Sequence, residues 1–198
     1  MWRRLQPSEA VLDRQGFFEV MASFPSGVAV VTTADADGTP FGLTTTAVAS
    51  VSADPPTLLV CVDLESRTLP ALRARRRFVV NFMRAGRSEL CLLFASKVDD
   101  KFARVAWGRT ASGLPLLEHD ALAWAEATTE QELVIGDHVV LIASVEEGAA
   151  LGHGLAPLMY YRRSWGVWTP AHEPEERAEE MQPIEVGARD LRWHGAEL

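Results

Sequence analysis

The stretch that decides the fold of this chain runs Gly42-Leu-Thr-Thr-Thr-Ala-Val-Ala-Ser-Val-Ser-Ala-Asp-Pro-Pro-Thr-Leu-Leu-Val-Cys-Val62. Its first part, from Thr44 to Ser52, is rich in hydroxyl groups and predicts an extended segment. The Pro55-Pro56 pair that follows cannot continue a helix and removes two backbone N–H donors. The apolar run from Thr57 to Val62 predicts a buried strand. A strand with small and hydroxylated side chains is therefore expected beside a core strand.

Four hydroxyl side chains of this stretch share one strand parity. Thr44, Thr46, Ser50 and Ser52 are separated by even numbers of residues, so in a straight strand they point to one face. Such a face leaves backbone amides open to a flat polar ligand or to a phosphate. The alternative is that the hydroxyls cover the solvent side of an edge strand. Composition alone leaves both interpretations open.

The composition is that of a soluble globular protein. The 198 residues are 47% apolar and 23% charged, which predicts one domain over residues 1–169 and an acidic extension over residues 170–198. The formal net charge is −8, and the extension carries −5 of it. A protein that binds a nucleic-acid backbone needs a basic face, so nucleic acid is not an expected partner.

The two cysteines and the hydropathy pattern bear on location. Cys61 and Cys91 are not part of a Cys-x-x-Cys pair or a His cluster, so no metal site is expected. Both are expected to be free thiols in a reducing cytoplasm. No run approaches the roughly 18 apolar residues of a membrane span. A cytoplasmic protein without a membrane partner is expected.

The rest of the chain predicts β-strands joined by short helices. One helix is expected from Ser8 to about Ala22, packed on the barrel, a second after a cap at Ser66, and a third that begins at Ser88. Besides the central stretch, the predicted strands cover residues 28–33, 78–82, 121–127, 138–145 and 157–163. Asp37-Gly38 predicts a hairpin with a type I′ turn, and Gly136-Asp137 joins two strands. About six or seven strands without a βαβ rhythm predict a mainly β fold, an antiparallel barrel with helical decorations.

A polar loop from Ala95 to Lys101, near the middle of the chain, is a candidate anion site. Ser96, Lys97 and Lys101 precede Phe102, so two ammonium groups can approach one anionic ligand, although loop lysines more often face only water. The usual nucleophile, phosphate-loop and zinc-protease motifs are absent from the sequence. The residues alone therefore predict a barrel with a hydroxyl-lined groove and identify no nucleophile.

The motifs, taken in order, resemble the flavin reductase-like family of FMN-binding split barrels. The family pattern Gly-x-Thr-x-x-Ala-x-x-Ser-x-Ser-x-x-Pro-Pro is matched from Gly42 to Pro56. The other matching segments are Phe24-x-x-Gly27-Val28, Asp37-Gly38, Phe78-x-Val80-Asn81, Phe94-Ala95, Lys101-Phe102, Gly136-Asp137-His138 and Pro157-Leu158-x-Tyr160-Tyr161. The resemblance extends over roughly residues 17–168.

This resemblance implies a homodimeric split barrel that uses NADH or NADPH to reduce FMN or FAD, often to supply a separate flavin-dependent monooxygenase. Ala47-Val48 stands where several relatives have Ser-Phe, which leaves the choice between FMN and FAD open. The alternative, from another class, is a flavin-carrying or haem-associated split-barrel module that binds its cofactor without reductase turnover.

The resemblance also implies which residues bind. The flavin residues are Thr44, Thr45, Thr46, Ala47, Ser50, Val51, Ser52, Cys61, Asp63, Ser66, Thr68, Ala95, Ser96, Lys97, Lys101 and Phe102. Of these, Ser66, Thr68 and either Lys97 or Lys101 would meet the phosphate. The nicotinamide residues are Gly136, Asp137, His138, Tyr160, Tyr161 and Arg162. His138 is the catalytic candidate, which would order the donor over the flavin, with Asp137 fixing its direction.

Overall fold

The computed structural model describes residues 12–151 and 154–169 and consists mainly of antiparallel strands. The strands are β1 (Ser26–Gly27), β2 (Ala29–Ala34), β3 (Pro40–Thr45), β4 (Val48–Ala53), β5 (Pro56–Asp63), β6 (Arg77–Met83), β7 (Gly108–Arg109), β8 (Pro115–Leu116), β9 (Ala121–Ile135), β10 (His138–Ala150), β11 (Leu158–Tyr161) and β12 (Ser164–Val167). The helices are α1 (Arg14–Ala22), α2 (Leu69–Arg75) and α3 (Ser88–Ala95), with 3-10 turns at Lys101–Arg104 and Glu118–Asp120.

A seven-stranded sheet in the order β3-β2-β6-β9-β10-β5-β4 forms the body of the protein. Its two edge strands, β3 and β4, are joined only by Thr46 and Ala47. The backbone N–H of Cys61 donates to the Ala47 carbonyl at 3.0 Å. The two-residue link that leaves β3 is thus hydrogen-bonded to β5, which lies at the opposite side of the sheet order, next to β4. A sheet whose two edges meet is a barrel. The predicted mainly β, antiparallel barrel is confirmed.

The core lies inside this barrel and follows the alternation of the strands. On β5, Leu58, Val60 and Val62 are buried, and they pack with Phe78 and Val80 of β6. Each such side chain contributes about 1.5–3 kcal/mol on burial. The predicted strands at 57–62 and 78–82 are therefore confirmed, and these apolar side chains are buried as the sequence pattern predicted.

The β9–β10 hairpin is longer than predicted. The turn at Gly136-Asp137 is present, with Gly136 at φ +60°. However, β9 extends for 15 residues and β10 for 13. From Glu130 onward β9 is exposed, including its apolar residues Leu133, Val134 and Ile135, while its backbone pairing with β10 continues.

The β2–β3 hairpin is confirmed, but its predicted turn type is wrong. A type I′ turn needs positive φ at both central residues. Of the loop residues, only Gly38 has positive φ, at +82°. The Asp35 carboxylate accepts hydrogen bonds from the backbone N–H groups of Asp37 at 3.0 Å and Thr39 at 2.8 Å. This side chain organises a wider loop in place of the tight turn.

The predicted cap of α2 is wrong, whereas the predicted start of α3 is confirmed. Helix α2 begins at Leu69, and the residue before it, Thr68, makes no capping bond with its side chain. The Ser66 hydroxyl accepts a hydrogen bond from the Thr68 N–H at 3.3 Å and shapes the loop before the helix. Ser88 is the first residue of α3, as predicted.

Helix α1 is capped by Asp13, whose carboxylate accepts from the Gly16 N–H at 2.7 Å. The predicted start at Ser8 lies outside the described residues. The prediction that this helix packs on its own barrel is wrong, because none of its nine residues, all within the described part, is buried. Its apolar side chains instead form an exposed surface.

Near the C-terminal end, the predicted strand over 157–163 is replaced by the shorter β11. Arg162 and Arg163 form a turn at φ +47° and +62°, and β12 pairs back onto β11. The acidic extension predicted at 170–198 lies outside the described residues and stays a prediction. Within the described residues, no helix has the length and apolar content needed to cross a bilayer.

Candidate functional site

One cleft gathers residues from five separate parts of the chain, and we call it the polar cleft. It has a volume of about 340 Å³, within the range of small-molecule sites. It lies between the ends of β3 and β5, the loop before α2, the end of α3 and the start of β10. Eleven of the predicted site residues line it: Thr44, Thr45, Cys61, Asp63, Ser66, Thr68, Ala95, Ser96, Lys97, Lys101 and His138.

The predicted straight strand from Thr44 to Ser52 is wrong, and the break decides which hydroxyls enter the cleft. Strand β3 ends at Thr45 because the Thr45 hydroxyl accepts the Ala47 N–H at 3.0 Å. This local bond competes with strand continuation. Thr44 and Thr45 line the polar cleft, whereas Thr46 lines a different cavity. The four hydroxyls therefore do not share one face.

The predicted flavin residues on β4 lie outside the cleft lining. Ala47, Ser50 and Val51 are exposed. The Ser52 hydroxyl is used locally, since it donates to the Asp54 carbonyl at 2.9 Å and accepts from the Asp54 N–H at 3.1 Å. Part of the edge strand is thus open to a ligand, but the strand itself does not form a pocket.

The predicted nicotinamide residues are divided between two places. Gly136 and Asp137 form the turn directly before His138, and of the three only His138 lines the cleft. Tyr160 and Arg162 line a separate cavity of about 370 Å³ beside α1, together with Thr46. Tyr161 is exposed, with the Arg162 guanidinium 5.4 Å from its ring centroid. One chain alone does not bring these residues together.

Lys101 is the cation that the protein holds in place. Its Nζ donates to the carbonyl of Phe94 at 2.7 Å and lies 3.4 Å from that of Gly42. Burial, with a smaller contribution from the nearby Arg67 charge, lowers the pKa of its ammonium group. Lys97, by contrast, is an exposed loop residue. Of the two predicted lysines, Lys101 has the fixed position that anion binding requires.

Arg67 is a second cation in the cleft and is not among the predicted residues. Its Nη1 is 2.6 Å from Asp99 Oδ1, and its Nη2 donates to the Val98 carbonyl at 3.1 Å. It stands between Ser66 and Thr68 in sequence, and this position was the available signal. Lys101, Arg67 and the hydroxyls of Ser66 and Thr68 all line this cleft, and cations with hydroxyls are the groups that bind a phosphate ester.

Gly42 packs the wall of the cleft against α3. A Cβ at this position would lie 2.7 Å from a ring atom of Phe94, which is itself buried. The Gly42 carbonyl accepts from the Thr68 hydroxyl at 3.0 Å. The first glycine of the central motif therefore permits close packing that brings β3, α3 and the Thr68 loop together.

His138 also lines the cleft and is oriented by its neighbour Asp137. Its Nδ1 is 2.7 Å from Asp137 Oδ1, and this hydrogen bond is the main reason that the pKa of the Asp137 carboxyl is lowered. Both side chains are largely exposed. In the sheet, His138 pairs with Asp63, which also lines the cleft. The predicted local bond is present.

The remaining chemistry of the cleft is limited. Burial raises the pKa of the Cys61 thiol, and burial together with the Asp120 charge raises that of Cys91 to about 12. Neither thiol is a reactive thiolate at neutral pH. In the part of the chain that the structure describes, no three His, Cys, Asp or Glu side chains are grouped to hold a metal. The donor set fits a flavin, with cations and hydroxyls for a phosphate and an open strand for a flat ring.

Comparison with known proteins gives the same result. A model described as the flavin reductase like domain matches residues 21–169. A flavin reductase (NADH) of Kitasatospora aureofaciens is 40% identical over 175 residues, which are 88% of this chain and 92% of the relative. A flavin reductase (NADPH) of Lentzea aerocolonigenes is 42% identical over 152 residues, which are 76% of this chain and 88% of the relative.

A solved structure of an NADH:FAD oxidoreductase of Streptomyces globisporus, in complex with NAD and FAD fragments, has the same fold. It matches with a TM-score of 0.75 and 27% identity over 81% of this chain and 96% of that one. The ordered motifs, the antiparallel barrel and the match to the domain model all agree. The chain belongs to the flavin reductase-like family.

Proposed function

We propose that this protein is an NAD(P)H-dependent flavin reductase that transfers a hydride from reduced nicotinamide to FMN or FAD. The observation that carries the proposal is the convergence of Lys101, Ser66 and Thr68 in the polar cleft of a chain that belongs to this family. Hydride transfer from nicotinamide C4 to flavin N5 needs no protein nucleophile in that step.

The residues of the chain bind and orient the two substrates. Lys101, Ser66 and Thr68 hold the flavin phosphate. The backbone from Thr44 to Ala47 and the exposed part of β4 receive the flat ring. Small side chains there let a second ring approach to a reactive distance of roughly 3–3.5 Å and exclude water.

His138 orders the nicotinamide donor, in this proposal, because Asp137 fixes its imidazole at the rim of the cleft. Replacing His138 by alanine removes one hydrogen bond or stacking surface, about 1 kcal/mol, and raises the KM for NADH roughly fivefold. Flavin affinity stays within twofold of the parent. Steady-state kinetics with each substrate varied in turn measure the two effects, and His119→Ala, at an exposed histidine outside the cleft, is the control. A loss confined to flavin binding would contradict this role.

A second copy of the chain covers the exposed apolar surface around α1, which makes the protein a homodimer. Phe17 is 52% exposed and Phe24 66% exposed, and Phe18, Val20 and Met21 are exposed beside them. Apolar patches of this kind mark association sites. A dimer also offers a way for Tyr160 and Arg162 of one protomer to approach the cleft of the other, which one chain does not allow.

Light scattering at micromolar concentration is expected to give about twice the 21.7 kDa mass of one chain. Phe24→Glu places a charge in the proposed interface and shifts the protein towards the monomer. The control is Leu92→Glu, on the exposed side of α3, which leaves the mass unchanged. A parent protein with the mass of one chain and full activity would contradict the dimer.

The reduced flavin leaves for a separate flavin-dependent monooxygenase, as the family resemblance implies. The proposed location is the cytoplasm, where both nicotinamide dinucleotides are available. The cleft itself supplies only reduced flavin.

The decisive experiment separates the reductase from a flavin carrier without turnover. Purified protein is mixed anaerobically with NADH and FAD or FMN. A reductase bleaches the visible flavin absorbance in proportion to the NADH consumed and over many turnovers. A carrier or haem-associated module binds flavin but leaves NADH unoxidised, and this outcome would overturn the proposed function.

A further inference from the structure

A second cavity adjoins the polar cleft, and we call it the aromatic cavity. It has a volume of about 600 Å³, larger than the polar cleft. Three residues line both spaces: Arg67, Thr68 and Lys101. The two spaces therefore meet at the pair of cations. A ligand whose phosphate lies between Arg67 and Lys101 can extend in both directions from that point.

The walls of the aromatic cavity suit a flat heteroaromatic ring. Phe102 packs edge-on against Phe94 at a centroid distance of 5.1 Å and against Trp107 at 5.4 Å. The Arg109 guanidinium lies over the Trp107 ring, 4.9 Å from its centroid. These contacts fix the Trp107 ring, which is half-buried and lines the cavity. A fixed indole face is a good stacking surface for a nucleobase.

The two carboxylates of the aromatic cavity disfavour a ligand that carries a further phosphate group there. Asp99 and Asp100 line it, and Asp99 is paired with Arg67. Carboxylates accept hydrogen bonds from sugar hydroxyls but repel a further phosphate group. Away from the two cations, the cavity is thus suited to a ribose and a neutral ring. A ribose that carries its own phosphate, as in NADPH, does not match these carboxylates.

We infer that the aromatic cavity binds the adenosine half of FAD and that this chain binds FAD in preference to FMN. The inference rests on the proposed function, since it takes the polar cleft to hold the flavin half. FMN ends at its phosphate, at the boundary that Lys101 and Arg67 mark. FAD continues through a second phosphate, a ribose and an adenine, which meet the second cation, the carboxylates and the Trp107 face in that order.

The test fills the aromatic cavity without touching the polar cleft. Ala103 is exposed, lines only the aromatic cavity and makes its backbone hydrogen bond, N–H to the Asp100 carbonyl, without its side chain. Ala103→Trp places an indole in the space proposed for adenosine. The matched control is Ala106→Trp, at an exposed alanine of the same segment that lines neither space. Dissociation constants for FAD and FMN are measured by quenching of flavin fluorescence.

The parent is expected to bind FAD roughly tenfold or more tightly than FMN, because a stacked base and a second charge-assisted phosphate contact add to the flavin half. Ala103→Trp brings the two affinities to within about threefold by weakening FAD alone. Ala106→Trp keeps the parent ratio. Trp107→Leu, which removes the stacking face and leaves the space open, also lowers FAD affinity without changing that for FMN.

Two results would overturn the inference. One is a parent that binds FMN as tightly as FAD. The other is an Ala103→Trp variant that leaves both flavin affinities unchanged and raises the KM for NADH, which would assign the cavity to the adenosine of the donor. These binding results are independent of turnover. A protein that prefers FAD but never oxidises NADH contradicts the proposed function and leaves the assignment of the cavity intact.

Discussion

Replacing Lys101 by methionine is expected to weaken FMN binding by roughly 10- to 100-fold, because a hydrogen bond between charged groups contributes about 1.5–3 kcal/mol. Its ammonium group is held by the Phe94 carbonyl at 2.7 Å and faces the polar cleft. Methionine keeps the length of the side chain and removes the charge. Binding is measured by titration of flavin fluorescence, with the thermal midpoint recorded to confirm that the variant is folded.

Two controls isolate the phosphate contact. Riboflavin has the ring and ribityl chain of FMN but no phosphate, so its affinity stays within about twofold in Lys101→Met. Lys97→Met removes the exposed neighbouring lysine and costs FMN binding less than about threefold, as exposed charges usually do. If Lys97→Met proves to have the larger effect, or if riboflavin and FMN lose affinity equally, the phosphate is not held by Lys101.

The same contact gives FMN binding a pH dependence. Burial places the pKa of Lys101 below its ordinary value of 10.5. Because the folded pKa is the lower one, the folded protein loses this proton before the unfolded chain does as pH rises. The affinity for FMN therefore falls with rising pH in the alkaline range below 10.5, while the affinity for riboflavin does not follow this titration. In Lys101→Met this difference between the ligands disappears.

Local patterns predicted the core of the fold because burial and backbone period agree there. The alternation of Leu58, Val60 and Val62 on β5 is a direct consequence of one face packing on the barrel interior. The pattern fails beyond Thr129 on β9, where the strand leaves the core but its backbone pairing with β10 continues. Apolar periodicity contains no information about such a strand.

The sequence predicted which residues form the candidate site better than it predicted how these residues are arranged. The order of motifs identified Ser66, Thr68 and Lys101, which are far apart in sequence and meet in the cleft. The straight-strand prediction failed at Thr45 because a single hydroxyl takes the Ala47 N–H. Arg67 was missed because its partners, Val98 and Asp99, lie 31 and 32 residues away. Contacts of that separation leave no local trace in a sequence.

For helix α1 the sequence predicted an apolar face correctly but assigned it to the wrong contact. Its apolar side chains predict that one face is covered, and the prediction assigned that face to the barrel of the same chain. The structure leaves the face exposed, with Phe17 and Val20 more than half accessible. Amphipathic periodicity indicates that a surface is suited to burial, but it does not distinguish the same chain from a second copy.

Asn81 is a family motif residue whose position assigns it to the fold and not to the ligand. It is fully buried on β6. Its Nδ2 donates to the Val30 carbonyl at 2.9 Å and to the Thr32 hydroxyl at 3.1 Å, and its Oδ1 accepts the Leu117 N–H at 2.9 Å. The side chain thus ties β2 and β6 to the segment that follows β8. Neither the polar cleft nor the aromatic cavity includes it.

Asn81→Leu is therefore expected to lower the free energy of unfolding by about 2–4 kcal/mol, because a nearly isosteric apolar side chain leaves the buried Leu117 N–H and the Val30 carbonyl without this partner, at about 1–3 kcal/mol each. Urea unfolding with an unchanged m value measures the loss. Thr33→Val on the adjoining strand removes a single buried bond, from its hydroxyl to the Arg77 carbonyl at 2.8 Å, and costs about 1 kcal/mol. Flavin affinity of the folded Asn81→Leu protein stays within twofold of the parent. A loss no greater than that of Thr33→Val would show that the Leu117 N–H finds another acceptor, and a specific loss of flavin binding would place Asn81 in the site.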